Sequence, residues 1–220
     1  MINYLIRQRI KKSVYIPEKE MKALTRQSHV MKLTFGAMFV ALMAIGANIT
    51  SIVPFLVVGG VPITLQTFFA ILAGLVLGSR LGAFAMFAYM LLGLVGVPVY
   101  AQFGGGFSSI LNPTFGFIIS FIIVAYVAGW IREKNGNLVS YIIAALVGFL
   151  INYLFGTNWM YMAYKLWFEA PEGFTYWMAW LWMLPPLPKD VILAIVAGIF
   201  AHRLAKHNVV FRTEKVEKAA

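Results

Sequence analysis

The chain has 220 residues, of which 61% are hydrophobic and 12% charged. Its charge-free stretches, Leu33 to Ser79 and Leu81 to Ile131, exclude a soluble globular domain, since each has room for two membrane spans of about 20 residues. Cysteine is absent, which excludes disulfides and thiolate metal sites, and the net charge of +10 fits anionic lipid at an inner membrane face better than nucleic acid.

Residues 1–30 carry Arg7, Arg9, Lys11, Lys12, Lys19, Lys22 and Arg26 and read as a basic cytoplasmic arm with no cleaved signal peptide. Residues 31–206 form the membrane domain, and 207–220 a basic tail. Span one covers Leu33 to Val53. Its stretch "FGAMFVALMAIGAN" places Gly36, Ala37, Ala41, Ala44 and Ala47 near one side of a helix. Small residues at this spacing permit close helix approach in lipid, so Ala37 and Ala41 serve either packing within the bundle or docking of a partner.

An outer loop, Pro54 to Pro62, precedes span two, Ile63 to Leu77. The chain turns at Gly78, Ser79 and Arg80, and span three returns to Gly96. These spans are short. Short helices beside irregular loops imply backbone dipping into the membrane, where it must be buried in protein or line a cavity. The next loop, "VPVYAQFGGGFSSILNPTFG", holds the run Gly104, Gly105 and Gly106, whose lack of side chains lets backbone come close to a ligand.

Span four runs from Thr114 to Ile131, and span five from Leu138 to Gly156. Thr157 to Leu184 contains Trp159, Trp167, Trp177, Trp180 and Trp182, the composition of an interfacial aromatic belt. The sixth helix must begin near Pro185, because Val191 to His202 alone is too short to cross. The expected architecture is all-α with six transmembrane helices. Both termini fall on the cytoplasmic side, because that orientation leaves only Lys165 and Lys189 of the 18 basic residues outside.

Asp190, near the outer end of the sixth helix, is the most informative residue. A carboxylate at such depth is costly and marks a functional site, unless it complements the helix N-terminus or pairs with Lys189. Thr64 and Gln66 with Thr67 in "ITLQT", Tyr89 in span three, Asn112 after the glycine loop and Asn152 in span five are further polar groups on apolar elements. Catalytic patterns are missing: there is no HExxH, GxxxxGK[ST] or GxSxG. The chain reads as a non-enzyme without cofactor. Its outward-facing cavity suits a small, mostly apolar molecule with a neutral hydrogen-bonding head.

The blocks "VPITLQTFFAILAGLVLGSRLGAFAMFAYMLLGLVGVPVYAQFGGG" and "NPTFGF", with a proline-rich segment ending in an Asp at the last helix, resemble the BioY family. Its members are biotin-specific substrate-binding (S) components of energy-coupling factor (ECF) transporters. The resemblance implies a plasma-membrane protein with a biotin pocket near the outer face, capped by the loops after spans one and three. It also implies a transmembrane coupling protein and two cytoplasmic ATPases as partners, with Ala37 and Ala41 matching the family's AxxxA docking motif. Gln66, Tyr89, Gly104 to Gly106 and Asp190 carry over as pocket residues. The family's Lys three residues after the Asp is Leu193 here, and Asn112 and Phe115 stand where Gly is frequent. The competing reading is a stand-alone facilitator or secondary carrier for biotin or another small vitamin.

Overall fold

The computed structural model describes residues 18–49, 57–58 and 61–207. In chain order, α1 is Glu18–Asn48; β1 (Val57–Val58) and β2 (Val61–Pro62) form a two-residue antiparallel ladder; α2 is Gln66–Leu77 and α3 Ser79–Leu94. Two 3-10 turns follow, Ala101–Phe103 and Phe107–Leu111. The chain continues with α4 (Phe115–Lys134), α5 (Leu138–Leu166), the short α6 (Tyr176–Leu181) and α7 (Leu187–Lys206). The architecture is helical, as the sequence leads one to expect. Among the described residues, Val30–Asn48, Phe115–Lys134 and Leu138–Leu166 are long and apolar enough to cross a membrane, and α2 and α3 are shorter apolar helices.

The chain divides into two units between Phe35 and Gly36. The described part of the first is the opening length of α1. In the second, α2 is the central element. Its sequence is apolar on all sides, which marks a helix buried all round, and every residue from Ala70 to Leu77 is buried. It packs on α3, α4, α5 and α7.

Small residues make these contacts possible. A Cβ added at Gly74 would lie 2.2 Å from the Ala125 carbonyl oxygen of α4, and one at Gly82 would lie 2.9 Å from the Gly74 Cα. Backbones therefore touch where α2 meets α3 and α4, and dispersion at this range replaces the hydrophobic drive that lipid does not supply. The pairing of α4 with α5 is reciprocal. Gly156 of α5 receives the ring of Phe117, and Gly116 of α4 receives the side chain of Trp159.

That reciprocal packing explains one departure from the expected spans. The sequence suggests that span five stops at Gly156, yet α5 continues to Leu166. Gly156 accommodates a neighbouring ring instead of ending the helix, and Trp159 lies inside the helix rather than in a loop. Its other end is defined by Asn137, whose side chain accepts from the Ser140 amide at 2.8 Å, a helix N-cap.

The turn between α2 and α3 is held from α4. Glu133 Oε1 accepts the Ser79 backbone N–H at 2.7 Å, and both carboxylate oxygens accept from the Ser79 hydroxyl. An anion at a helix N-terminus satisfies orphan donors and complements the dipole. Gly78 stands there at φ +89 with no room for a side chain, since a Cβ would lie 2.7 Å from Glu133 Oε1.

Along α1, Gly36, Phe39, Met43, Gly46 and Ala47 are buried while Ala37, Met38, Ala41 and Ile45 are exposed. The small residues expected on one side are thus divided between two faces. Ala37 and Ala41 lie on the exposed face of α1.

Candidate functional site

The end of the bundle opposite the Gly78 turn encloses a cavity of about 160 Å³. Its apolar lining includes Phe115, Ile118 and Phe121 of α4 and Met183 after α6. Its polar lining comes from the start of α2, the loop before α4, the middle of α5 and the first turn of α7.

Asp190 is 8% exposed. Tyr153 donates its hydroxyl to Asp190 Oδ2 at 2.8 Å, and Lys189 Nζ lies 2.7 Å from Oδ1. Asp190 lies in the first turn of α7, where its charge complements the helix N-terminus. Both structural roles open to it from sequence are therefore observed, and Tyr153 is added to them. The same Lys189 ammonium donates to the Thr64 carbonyl at 2.6 Å. This tie joins α7 to the strand-to-helix connection before α2. Thr64 itself lines the cavity, and its hydroxyl accepts the Gln66 backbone N–H at 3.3 Å.

Gln66 lines the cavity, and its Nε2 donates to the Tyr89 hydroxyl at 2.8 Å. Tyr89 in turn donates to the Val99 carbonyl at 2.9 Å. Tyr89 is 0% exposed and lies behind Gln66, outside the cavity wall, where it orients the amide. Asn152, 1% exposed, lines the cavity from α5, and its Oδ1 accepts from the Thr67 hydroxyl at 3.3 Å.

The three loop glycines have separate places. Gly104 lines the cavity and its carbonyl accepts from the Tyr100 N–H at 3.0 Å. Gly105 is pressed on the loop's own backbone: a Cβ there would lie 2.6 Å from the Val97 carbonyl oxygen. Gly106 has φ +100 and donates its N–H to Gly93 at 2.7 Å, so Gly105 and Gly106 shape the loop. Next to them Gln102 and Phe103 adopt φ of +59 and +55, a left-handed conformation uncommon for residues with side chains. Gln102 faces the cavity, and the Phe103 N–H donates to Asn48 Oδ1 at 2.6 Å. The loop is also anchored by Tyr100. Its ring covers Gly93, its hydroxyl donates to the Met90 carbonyl, and burial pushes its phenol up to about 12.

Asn112 lines the cavity while its Oδ1 accepts from the Thr114 N–H and hydroxyl at 2.9 and 2.8 Å, opening α4. Trp167 Nε1 donates to the Leu111 carbonyl at 2.9 Å, which ties the end of α5 to the same loop. Lys165 stands 5.9 Å from the Tyr161 ring, away from the cavity lining. Tyr153 and Met183 are among the wall residues that the sequence does not single out. A tyrosine buried mid-helix needs a partner for its hydroxyl, which was the available signal for Tyr153.

A helical membrane fold around a small cavity walled by apolar side chains and oriented polar groups in about equal measure defines a small-molecule binding or transport protein. The chain belongs to the BioY family, which it matches over residues 19–208. It is 48% identical over 166 residues to the putative biotin transporter BioYB of Bacillus subtilis, covering 74% of this chain and 82% of that one. The biotin transporter BioY of Thermotoga maritima is 34% identical, with 81% and 98% covered. A crystal structure of the S-component for biotin from an ECF-type ABC transporter superposes with a TM-score of 0.68 at 25% identity, over 82% of this chain and 93% of that one.

Proposed function

We propose that this chain is the biotin-binding component of an ATP-driven vitamin uptake system in the plasma membrane. The observation that carries the reading is the cavity wall itself. A buried carboxylate held by Tyr153 and Lys189 faces the same space as the Gln66 and Asn152 amides, with aromatic and aliphatic side chains around them. A ureido head finds hydrogen-bond partners there, and a thiophane ring finds apolar contact.

In this reading α1 to α5 and α7 are the six spans, with both termini cytoplasmic and the cavity toward the outside. The cluster of Arg132 and Lys134 at the end of α4 and Arg203 and Lys206 at the end of α7 supports that orientation through the excess of basic residues on cytoplasmic ends. The loop carrying Gly104 and Asn112 covers the ligand, and Gly105 and Gly106 give it its shape. Biotin enters from outside, and a coupling protein with two ATPases drives its release inward. The exposed pair Ala37 and Ala41 supports docking of the coupling protein, since helices approach closely over small residues.

Reconstitution into vesicles tests the division of labour. Biotin accumulation that requires the coupling protein, the ATPases and ATP is expected. Uptake by the chain alone without ATP would instead establish a facilitator.

A further inference from the structure

We infer that Asn152 reads the carbonyl oxygen of the bound ligand's cyclic urea, and so sets which hydrogen-bonding polarity the site accepts; this rests on the biotin reading above. Tyr89 fixes the Gln66 amide. Its proton is engaged by the Val99 carbonyl at 2.9 Å, so its oxygen is left to accept, and the Gln66 atom 2.8 Å away must be the NH2 nitrogen. Gln66 therefore turns its carbonyl oxygen to the cavity, an acceptor. The Asp190 carboxylate, ion-paired to Lys189, is likewise acceptor-only.

Asn152 is wired the opposite way. Thr67 donates its hydroxyl to Asn152 Oδ1 at 3.3 Å, which leaves the Asn152 NH2 for the cavity. The wall thus offers acceptors from α2 and α7 and a donor from α5, which packs on both. A cyclic urea is the complement, one carbonyl acceptor between two N–H donors. A cyclic guanidinium places N–H donors at all three points and would set one against the Asn152 NH2. Sites built around a buried hydrogen-bonding group reject such mismatches strongly, and rejection is a form of specificity in its own right.

The test measures binding of biotin and of 2-iminobiotin, whose ureido carbonyl is replaced by an imino group that is cationic at neutral pH, to the purified full chain. The wild type should prefer biotin by at least about a hundredfold. Asn152→Asp should narrow or reverse that ratio by at least about tenfold, because an acceptor now meets the guanidinium. Asn152→Leu should weaken biotin without favouring 2-iminobiotin. Thr67→Val, which leaves Asn152 in place but frees its amide to turn, should narrow the ratio, and this arm decides the matter if the Asn152 variants do not fold. A ratio unchanged in Thr67→Val, or in a folded Asn152→Asp, overturns the assignment while leaving the biotin reading intact. No biotin binding by the wild type overturns the biotin reading itself, and this assignment with it.

Discussion

Tyr153 on α5 and Asp190 on α7 are joined by a 2.8 Å hydrogen bond across the cavity wall. The phenol donates and the carboxylate accepts, so Tyr153 fixes one oxygen of Asp190 while Lys189 fixes the other at 2.7 Å. A buried carboxylate held at both oxygens is pre-organised, which lowers the ordering cost of binding.

Replacing Asp190 by Asn keeps the shape and removes the charge. A hydrogen bond to a charged group contributes roughly 1.5–3 kcal/mol, so biotin affinity should fall by about ten- to a hundredfold. Tyr153→Phe should cost less, about 1 kcal/mol, because Lys189 still holds the carboxylate. Titration calorimetry on the purified variants checks both, and equal losses would argue against a direct ligand contact by Asp190.

Tyr89 acts through Gln66. Removing its hydroxyl in Tyr89→Phe leaves the Gln66 NH2 unpartnered and free to rotate, which should weaken biotin binding by a fewfold, less than Gln66→Ala does. A larger effect from Tyr89→Phe than from Gln66→Ala would place Tyr89 itself on the ligand.

Gly74→Ala tests the helix crossing at the core. The added Cβ would lie 2.2 Å from the Ala125 carbonyl oxygen, an overpacking that costs about 1–3 kcal/mol, so thermal stability in detergent should drop. Gly136→Ala is the control, since a Cβ there meets nothing within 4 Å.

The Tyr100 phenol gives an alkaline limit. Its pKa in the fold is raised to about 12 by burial, from about 10 in an unfolded chain. The folded state therefore holds its proton after the unfolded state has lost it, and stability falls as pH rises from about 10 to 12. A pH series of melting temperatures should show this decline, and Tyr100→Phe should flatten it.

Ala37→Trp or Ala41→Trp places bulk on the exposed face of α1. Biotin binding should persist and co-purification with the coupling protein should be lost. Retained co-purification would move the docking surface elsewhere.

Much of the fold is legible in the sequence because lipid imposes simple rules. The apolar runs and their charged ends locate α4, and Gly78 followed by Ser79 marks the turn between α2 and α3. The length of α5 is not legible, because Gly156 looks like a helix end until the ring of Phe117 is found in its place. Gln66, Asn152 and Asp190 stand out as polar residues on apolar helices. Tyr153 does not, since an aromatic in a span is ordinary until its hydroxyl partner, 37 residues away, is known. The glycine loop shows the same limit. Its composition marks irregular backbone but does not separate Gly104, at the cavity, from Gly105 and Gly106, which fold the loop.

The central claim is that this chain alone forms a biotin site built on Asp190. Titrating the detergent-purified protein with biotin, followed by tryptophan fluorescence, tests it most directly. Saturable binding is expected without partner subunits, weakened in Asp190→Asn. Absence of binding by the wild type, or binding of equal strength in Asp190→Asn, would contradict it.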